Sequence, residues 1–124
     1  MCKLLMSINP EHVNNILAGK KRFEYRKVKC REHIDSIVIY STAPVMKVVV
    51  EVEVTDIIEG PPQSVWNQTF SAAGIDKTFF DKYYQGKSTA VAYVLGHITK
   101  YRKPLCLSDF GIKTAPQSFV YVRG

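Results

Sequence analysis

Apolar positions along the chain fall into short runs and alternations, separated by residues that turn or cap. "KLLMSI", Lys3 to Ile8, is an apolar run of strand length. Asn9 then stands where a helix N-cap belongs, with Pro10 at the first helical position and Glu11 in the first turn. Val13, Ile16 and Leu17 follow at helical spacing, and Gly19 predicts the stop. "KRFEYR" alternates strictly, which predicts a strand with Phe23 and Tyr25 on one side and Arg22, Glu24 and Arg26 on the other. "SIVIYST", Ser36 to Thr42, reads as a central strand ended by the Ala43–Pro44 turn. "KVVVEVEVTDII", Lys47 to Ile58, has the clearest alternation: Val48, Val50, Val52 and Val54 inward, Glu51, Glu53 and Thr55 outward.

After the break at "EGPP", two short helices are predicted. The first carries Val65, Trp66, Thr69 and Phe70 at helical spacing. The second carries Phe79, Phe80, Tyr83 and Tyr84, capped by Asp76 and stopped by Gly86. "STAVAYVLGHITKYRKPL" returns to strand character, and Gly96 inside it predicts a bulge or bend. "QSFVYV" supplies a last strand. There is no repeat, low-complexity tract or linker, so residues 1–124 form one domain. The expected fold class is α+β: a small mixed β-barrel, closed or half-closed, of about five or six strands with short helices.

Charge narrows the partners. Lys and Arg number 17 against 11 Asp and Glu, a formal net charge of +6. That excess favours an anionic partner, RNA or a nucleotide before a membrane surface. No apolar run is long enough to span a membrane and the start lacks a signal-peptide core, which points to the cytoplasm. Cys2, Cys30 and Cys106 are odd in number and far apart, so a disulfide framework is not expected. Cys30 and His33 have ligand-like spacing without a second pair, and read as a partly buried cysteine and a surface histidine; no metal or other cofactor is expected. Neither a nucleophile elbow nor a glycine-rich phosphate loop is present. The pairs Phe79/Phe80 and Tyr83/Tyr84 are core residues or stacking platforms, with Tyr84 expected to be the most exposed.

The stretch "ILAGKKRFEYRK" carries the most chemistry. A helix that ends at Gly19 and turns at once into a charged strand gathers Lys20, Lys21, Glu24 and Arg26. On a regular strand Lys21 would share a face with Phe23. Either it belongs to the turn and swings to the polar face, or its stem is buried and its ammonium reaches out. Two readings stay open: exposed ion pairs worth ~0–1 kcal/mol each, or a ligand site.

Gly19-x-Lys21-x-x-Glu24-x-Arg26 resembles the G-x-K-x-x-E-x-R motif of the ASCH domain, a member of the PUA-like superfamily. Its setting is similar too, with the motif following a short helix and entering a strand. The resemblance spans most of the chain. It implies a barrel with helices around a central cleft and Lys21, Glu24 and Arg26 directed into it. Ser41 and Thr42, at the end of the "YST" strand, are implied as further contacts.

The resemblance implies an RNA- or nucleotide-binding domain in RNA metabolism or translation-linked regulation, taking single strands before duplex DNA. Arg26 would grip a phosphate, Lys21 would add a point charge, and Glu24 would accept from a base or ribose. The alternative is a hydrolase, a ribonuclease or an amidohydrolase on a modified nucleoside such as N(4)-acetylcytidine, with Lys21 and Glu24 catalytic. The deacetylases of the family are similar at Lys21, yet carry a threonine nucleophile where Glu24 stands, which counts against that reaction. A non-catalytic protein-interaction domain, presenting Trp66, Tyr83 and Tyr84, is the third reading.

Overall fold

The computed structural model describes residues 2–123. Six strands, β1 (Cys2–Ile8), β2 (Phe23–Arg26), β3 (Ser36–Ser41), β4 (Lys47–Gly60), β5 (Ala90–Leu105) and β6 (Phe119–Arg123), form one mixed sheet in the order β2-β5-β4-β3-β1-β6. Only β1 and β3 run parallel; the other neighbours are antiparallel. Three helices, α1 (Pro10–Leu17), α2 (Pro62–Thr69) and α3 (Lys77–Tyr83), complete it. The expected α+β fold with a small mixed barrel is observed, in its half-closed form.

Local chemistry explains the boundaries. Asn9 accepts the Glu11 amide at 3.0 Å and so caps α1. Asp76 does the same for α3 through the Phe79 amide at 2.8 Å. In β5 the pairing slips between Ile98 and Leu95, so the extra residue falls at Gly96–His97, where a bulge was expected. A Cβ on Gly96 would sit 2.5 Å from Glu53 Oε1.

The sheet is covered on both faces over much of its area, which is why β1 and β3 read as unbroken apolar runs. Leu4, Met6, Ile37, Ile39, Val50 and Val52 face inward beneath Val13 and Ile16 of α1. Leu5, Val38, Tyr40 and Val48 face the segment carrying Leu107 and Phe110. A third cluster joins Tyr25 and Ala92 to Val65 of α2, Phe80 of α3 and Tyr84 just past its end.

That third cluster corrects one expectation. Tyr84 is buried, donating its hydroxyl to Arg26 O at 2.8 Å, because its position at the end of α3 points it under β2. Trp66 packs against Phe80 with ring centroids 4.9 Å apart. The exposed aromatics of this region are instead Phe70 and Phe79.

The order of the sheet leaves β2 and β6 as its two edges. They are bridged by side chains: Arg26 at the end of β2 reaches Ser118 Oγ beside β6 at 3.4 Å and Ser7 O of β1 at 3.1 Å. The half-barrel therefore has a seam, and Arg26 crosses it.

Candidate functional site

A cleft of about 210 Å³ opens where the end of β1, α1, β2 and α3 meet. Lys21, Glu24 and Arg26 form its charged floor, Ile8, Ile75, Phe79 and Tyr83 its apolar and aromatic walls, and His12 projects from α1.

Lys21 reaches the cleft because it precedes β2 and belongs to the turn. Gly19 adopts φ +79°, and the Lys20 and Lys21 amides both donate to Asn15 O, which folds the chain back across the end of α1. The strand parity that would have placed Lys21 with Phe23 does not apply to it. Its stem is packed against Gly74, at φ +71°, where a Cβ would lie 2.5 Å from Lys21 Cβ and 3.1 Å from its Cα. Its ammonium donates to Ala73 O at 3.1 Å and lies 4.9 Å from the centre of the Tyr25 ring. Tyr25 is itself fixed by a 2.8 Å hydrogen bond to Thr69.

Glu24 stands between two cations. Its Oε2 is 3.1 Å from Arg26 Nη2, and its Oε1 is 3.9 Å from Lys21 Nζ, within electrostatic range but too long for a hydrogen bond. Residue exposures of 4%, 7% and 9% for Lys21, Glu24 and Arg26 rule out the solvated-strand reading of these charges. Two cations against one carboxylate leave one positive charge uncompensated in a poorly solvated site. Glu24 Oε1, Arg26 Nε and His12 Nδ1 are buried without hydrogen-bond partners, and all three belong to residues of this one cleft. Leaving such groups unpaired costs ~1–3 kcal/mol each.

Burial pulls the Lys21 pKa below the usual lysine value; Glu24 opposes the fall and Arg26 adds to it. Burial, followed by the Lys21 charge, also lowers the His12 pKa. His12 is held edge-on to Phe79 at 5.8 Å. Burial raises the Tyr83 phenol. The floor can thus bind an anion, and the walls can pack a flat ring.

The structure brings together Lys21, Glu24 and Arg26 and leaves out the other residues named from sequence. Lys20 is exposed on the turn and does not line the cleft. Ser41 is buried in β3, and Thr42 donates its amide to Ile8 O; neither lines the cleft, because β1 lies between β3 and it. His12, Phe79 and Tyr83 were not assigned to it from sequence. The signal for His12 was its place in the first turns of a helix that starts beside the motif. Cys30 is buried, and His33 is exposed 3.5 Å from Asp35; among the described residues no group of three potential metal ligands is found. Nor is any helix among them long and apolar enough to cross a membrane.

Comparison with known proteins adds the following. The family model for the ASCH domain matches residues 6–103. The chain is 33% identical over 121 residues to the large ribosomal subunit protein uL22 of Ureaplasma parvum, covering 97% of this chain and 39% of that protein. It therefore spans well under half of that relative's length. It is 27% identical over 92 residues to an ASCH domain-containing ribonuclease of Zymomonas mobilis, covering 73% of this chain and 62% of that one. The crystal structure of ASCH from Zymomonas mobilis superimposes with a TM-score of 0.87 at 25% identity, covering 98% of this chain and 87% of that chain.

Proposed function

The chain belongs to the ASCH domain family, and from that membership together with the cleft we propose an RNA- or nucleotide-binding domain that takes one nucleotide of a single strand at a time. The observation that carries the reading is the buried Lys21–Glu24–Arg26 floor with its uncompensated positive charge. A phosphate placed against Arg26 and Lys21 supplies the missing negative charge and accepts from Arg26. A base entering between Phe79 and Tyr83 meets ring faces and edges, and Glu24 offers an acceptor to its amino group or to a ribose hydroxyl. A cavity of about 210 Å³ admits a nucleotide and excludes a duplex, which favours single strands. The ribonuclease name of one relative and the ribosomal-protein name of another support an RNA-related role of this kind.

The test is binding of labelled single-stranded RNA by Lys21→Met/Arg26→Gln, over a range of salt. Each phosphate contact contributes ~0.7 to the salt slope for single strands. The double variant is expected to lose about 0.7 from the slope while keeping its circular dichroism spectrum. An unchanged affinity and slope in a folded variant would remove the cleft from the reading.

The lowered Lys21 pKa favours a second reading, in which the same cleft is hydrolytic, as a ribonuclease or a nucleoside amidohydrolase. A desolvated lysine beside a carboxylate can take up and return a proton. That reading requires multiple turnovers that vanish in Lys21→Met and in Glu24→Gln; absence of turnover on labelled RNAs and acylated nucleosides would leave binding alone.

A further inference from the structure

The segment that leaves the cleft, Lys27 to His33, is held on the protein by an unusual set of anchors. Tyr93 OH accepts the Cys30 amide at 3.0 Å, and Tyr121 OH of β6 accepts the Arg31 amide at 2.8 Å. Cys30 and Ile34 are buried beneath it. At its start, Tyr84 OH donates to Arg26 O, and Lys27 Nζ lies 4.6 Å from the centre of the Tyr83 ring, a wall of the cleft. The backbone is thus tied to the seam between β2 and β6 while Lys27, Val28, Lys29 and Arg31 face solvent. Val28 is 64% exposed. Beside them Tyr121 presents a partly exposed ring, fixed by its bond to the Arg31 amide and by an edge contact with Phe119 at 6.1 Å.

A line of cations interleaved with an apolar side chain and an oriented aromatic ring, beginning at the rim of a nucleotide-sized cleft, suits one kind of partner. We infer that Lys27, Lys29, Arg31 and Tyr121 form a track for the nucleotides that follow the one in the cleft, so that the ligand is a single-stranded polynucleotide several nucleotides long. The inference rests on the cleft reading only for where the strand begins. Lys27 to Arg31 spans at most ~14 Å of backbone, which a stacked strand covers in about four nucleotides at ~3.4 Å each. The cations neutralise phosphates, and Tyr121 stacks a base whatever its identity. Lys29 and Arg31 also line the groove beside the segment, together with Glu32, His33 and Asp56. An acidic peptide would have charge complementarity with the cations but nothing to stack on Tyr121.

The test measures affinity against length: a mixture of the four nucleoside 5′-monophosphates, then mixed-sequence oligonucleotides of two to eight nucleotides, as RNA and as DNA. For the unaltered protein affinity is expected to rise with length up to about five nucleotides. In Lys29→Glu/Arg31→Glu that rise should flatten, by about ten- to a hundredfold for the longer oligonucleotides, with mononucleotide affinity unchanged and the salt slope reduced by about 1.4. Tyr121→Leu should lose part of the same increment, and Tyr121→Phe, which keeps the ring without its bond to the Arg31 amide, should lose less of it. A loss in either the RNA or the DNA series upholds the track and identifies its ligand. Failure of mononucleotides to bind, with oligonucleotides still sensitive to Lys29 and Arg31, would uphold the track and overturn the cleft. A double variant that binds eight-nucleotide strands as tightly as the unaltered protein overturns the track. So does displacement of the oligonucleotide by hexaglutamate at equal concentration.

Discussion

Gly74→Ala tests whether Lys21 is held in the cleft by the packing of its stem. Two costs are expected at that position. An alanine at φ +71° costs ~1–2 kcal/mol for left-handed backbone. The added methyl would then lie 2.5 Å from Lys21 Cβ and 2.7 Å from its Cγ, atoms next to a backbone that itself donates to Asn15 O. Neither can move without disturbing the turn, so overpacking adds ~1–3 kcal/mol. At ~4 °C per kcal/mol for a chain of this length, the melting temperature should fall by ~8–20 °C. Gly86→Ala is the control: its φ is +78° and nothing lies within 4 Å of an added Cβ. That variant should show the backbone cost alone, ~4–8 °C. Thermal unfolding of both, followed by circular dichroism, gives the difference. RNA affinity of Gly74→Ala below its melting temperature should also fall, because the displaced stem carries the ammonium away from Ala73 O and Glu24. If Gly74→Ala melts no lower than Gly86→Ala and binds RNA normally, the packing argument for Lys21 is wrong.

Three further outcomes follow from the same geometry. Glu24→Gln leaves two buried cations uncompensated and should destabilise by ~3–5 kcal/mol in urea unfolding, while inorganic phosphate, added as a ligand, should restore more stability to it than to the unaltered protein. Tyr25→Phe loses the bond to Thr69, which keeps its own bond to Val65 O, so urea unfolding should show a loss of only ~1 kcal/mol. Because burial pushes the Tyr25 phenol up to about 12, the fold favours its protonated form; stability should drop as pH rises from 10 towards 12, and less steeply in Tyr25→Phe. Lys21 has the opposite sense: its folded pKa lies below 10.5, so its burial penalty is full in acid and fades as pH rises through that folded value. Anion affinity, which needs the charged form, should accordingly decline in isothermal titration at a pH below 10.5, and Lys21→Arg should move the decline upward.

Much of the fold was legible because local signals agreed with tertiary packing. Asn9, Pro10 and Gly19 bounded α1, and Val50 and Val52 of β4 share the face their alternation predicts, whereas Val48, expected with them, faces the other side across a break in register. The site was legible only along the chain. Glu24 and Arg26 follow from strand parity, and Lys21 from the turn that Gly19 permits. What the sequence withheld lies across space. Gly74 and Ala73 hold Lys21 from more than fifty residues away, and no local pattern connects them to it. Phe79, Phe80, Tyr83 and Tyr84 share one helical pattern, and only the docking of α3 under β2 decides that Phe80 and Tyr84 are core while Phe79 and Tyr83 line the cleft. Ser41 and Thr42 end a strand near the right end of the sheet, but the intervention of β1 between β3 and the cleft is a matter of strand order, which the sequence pattern does not encode.

A crystal structure with a bound pentanucleotide tests the central claim most directly. A phosphate is expected in hydrogen-bond range of Arg26 and Lys21, a base between Phe79 and Tyr83, and the following nucleotides over Lys29 and Arg31 towards Tyr121. RNA bound elsewhere on the surface, with Lys21, Glu24 and Arg26 untouched in an empty cleft, would contradict it.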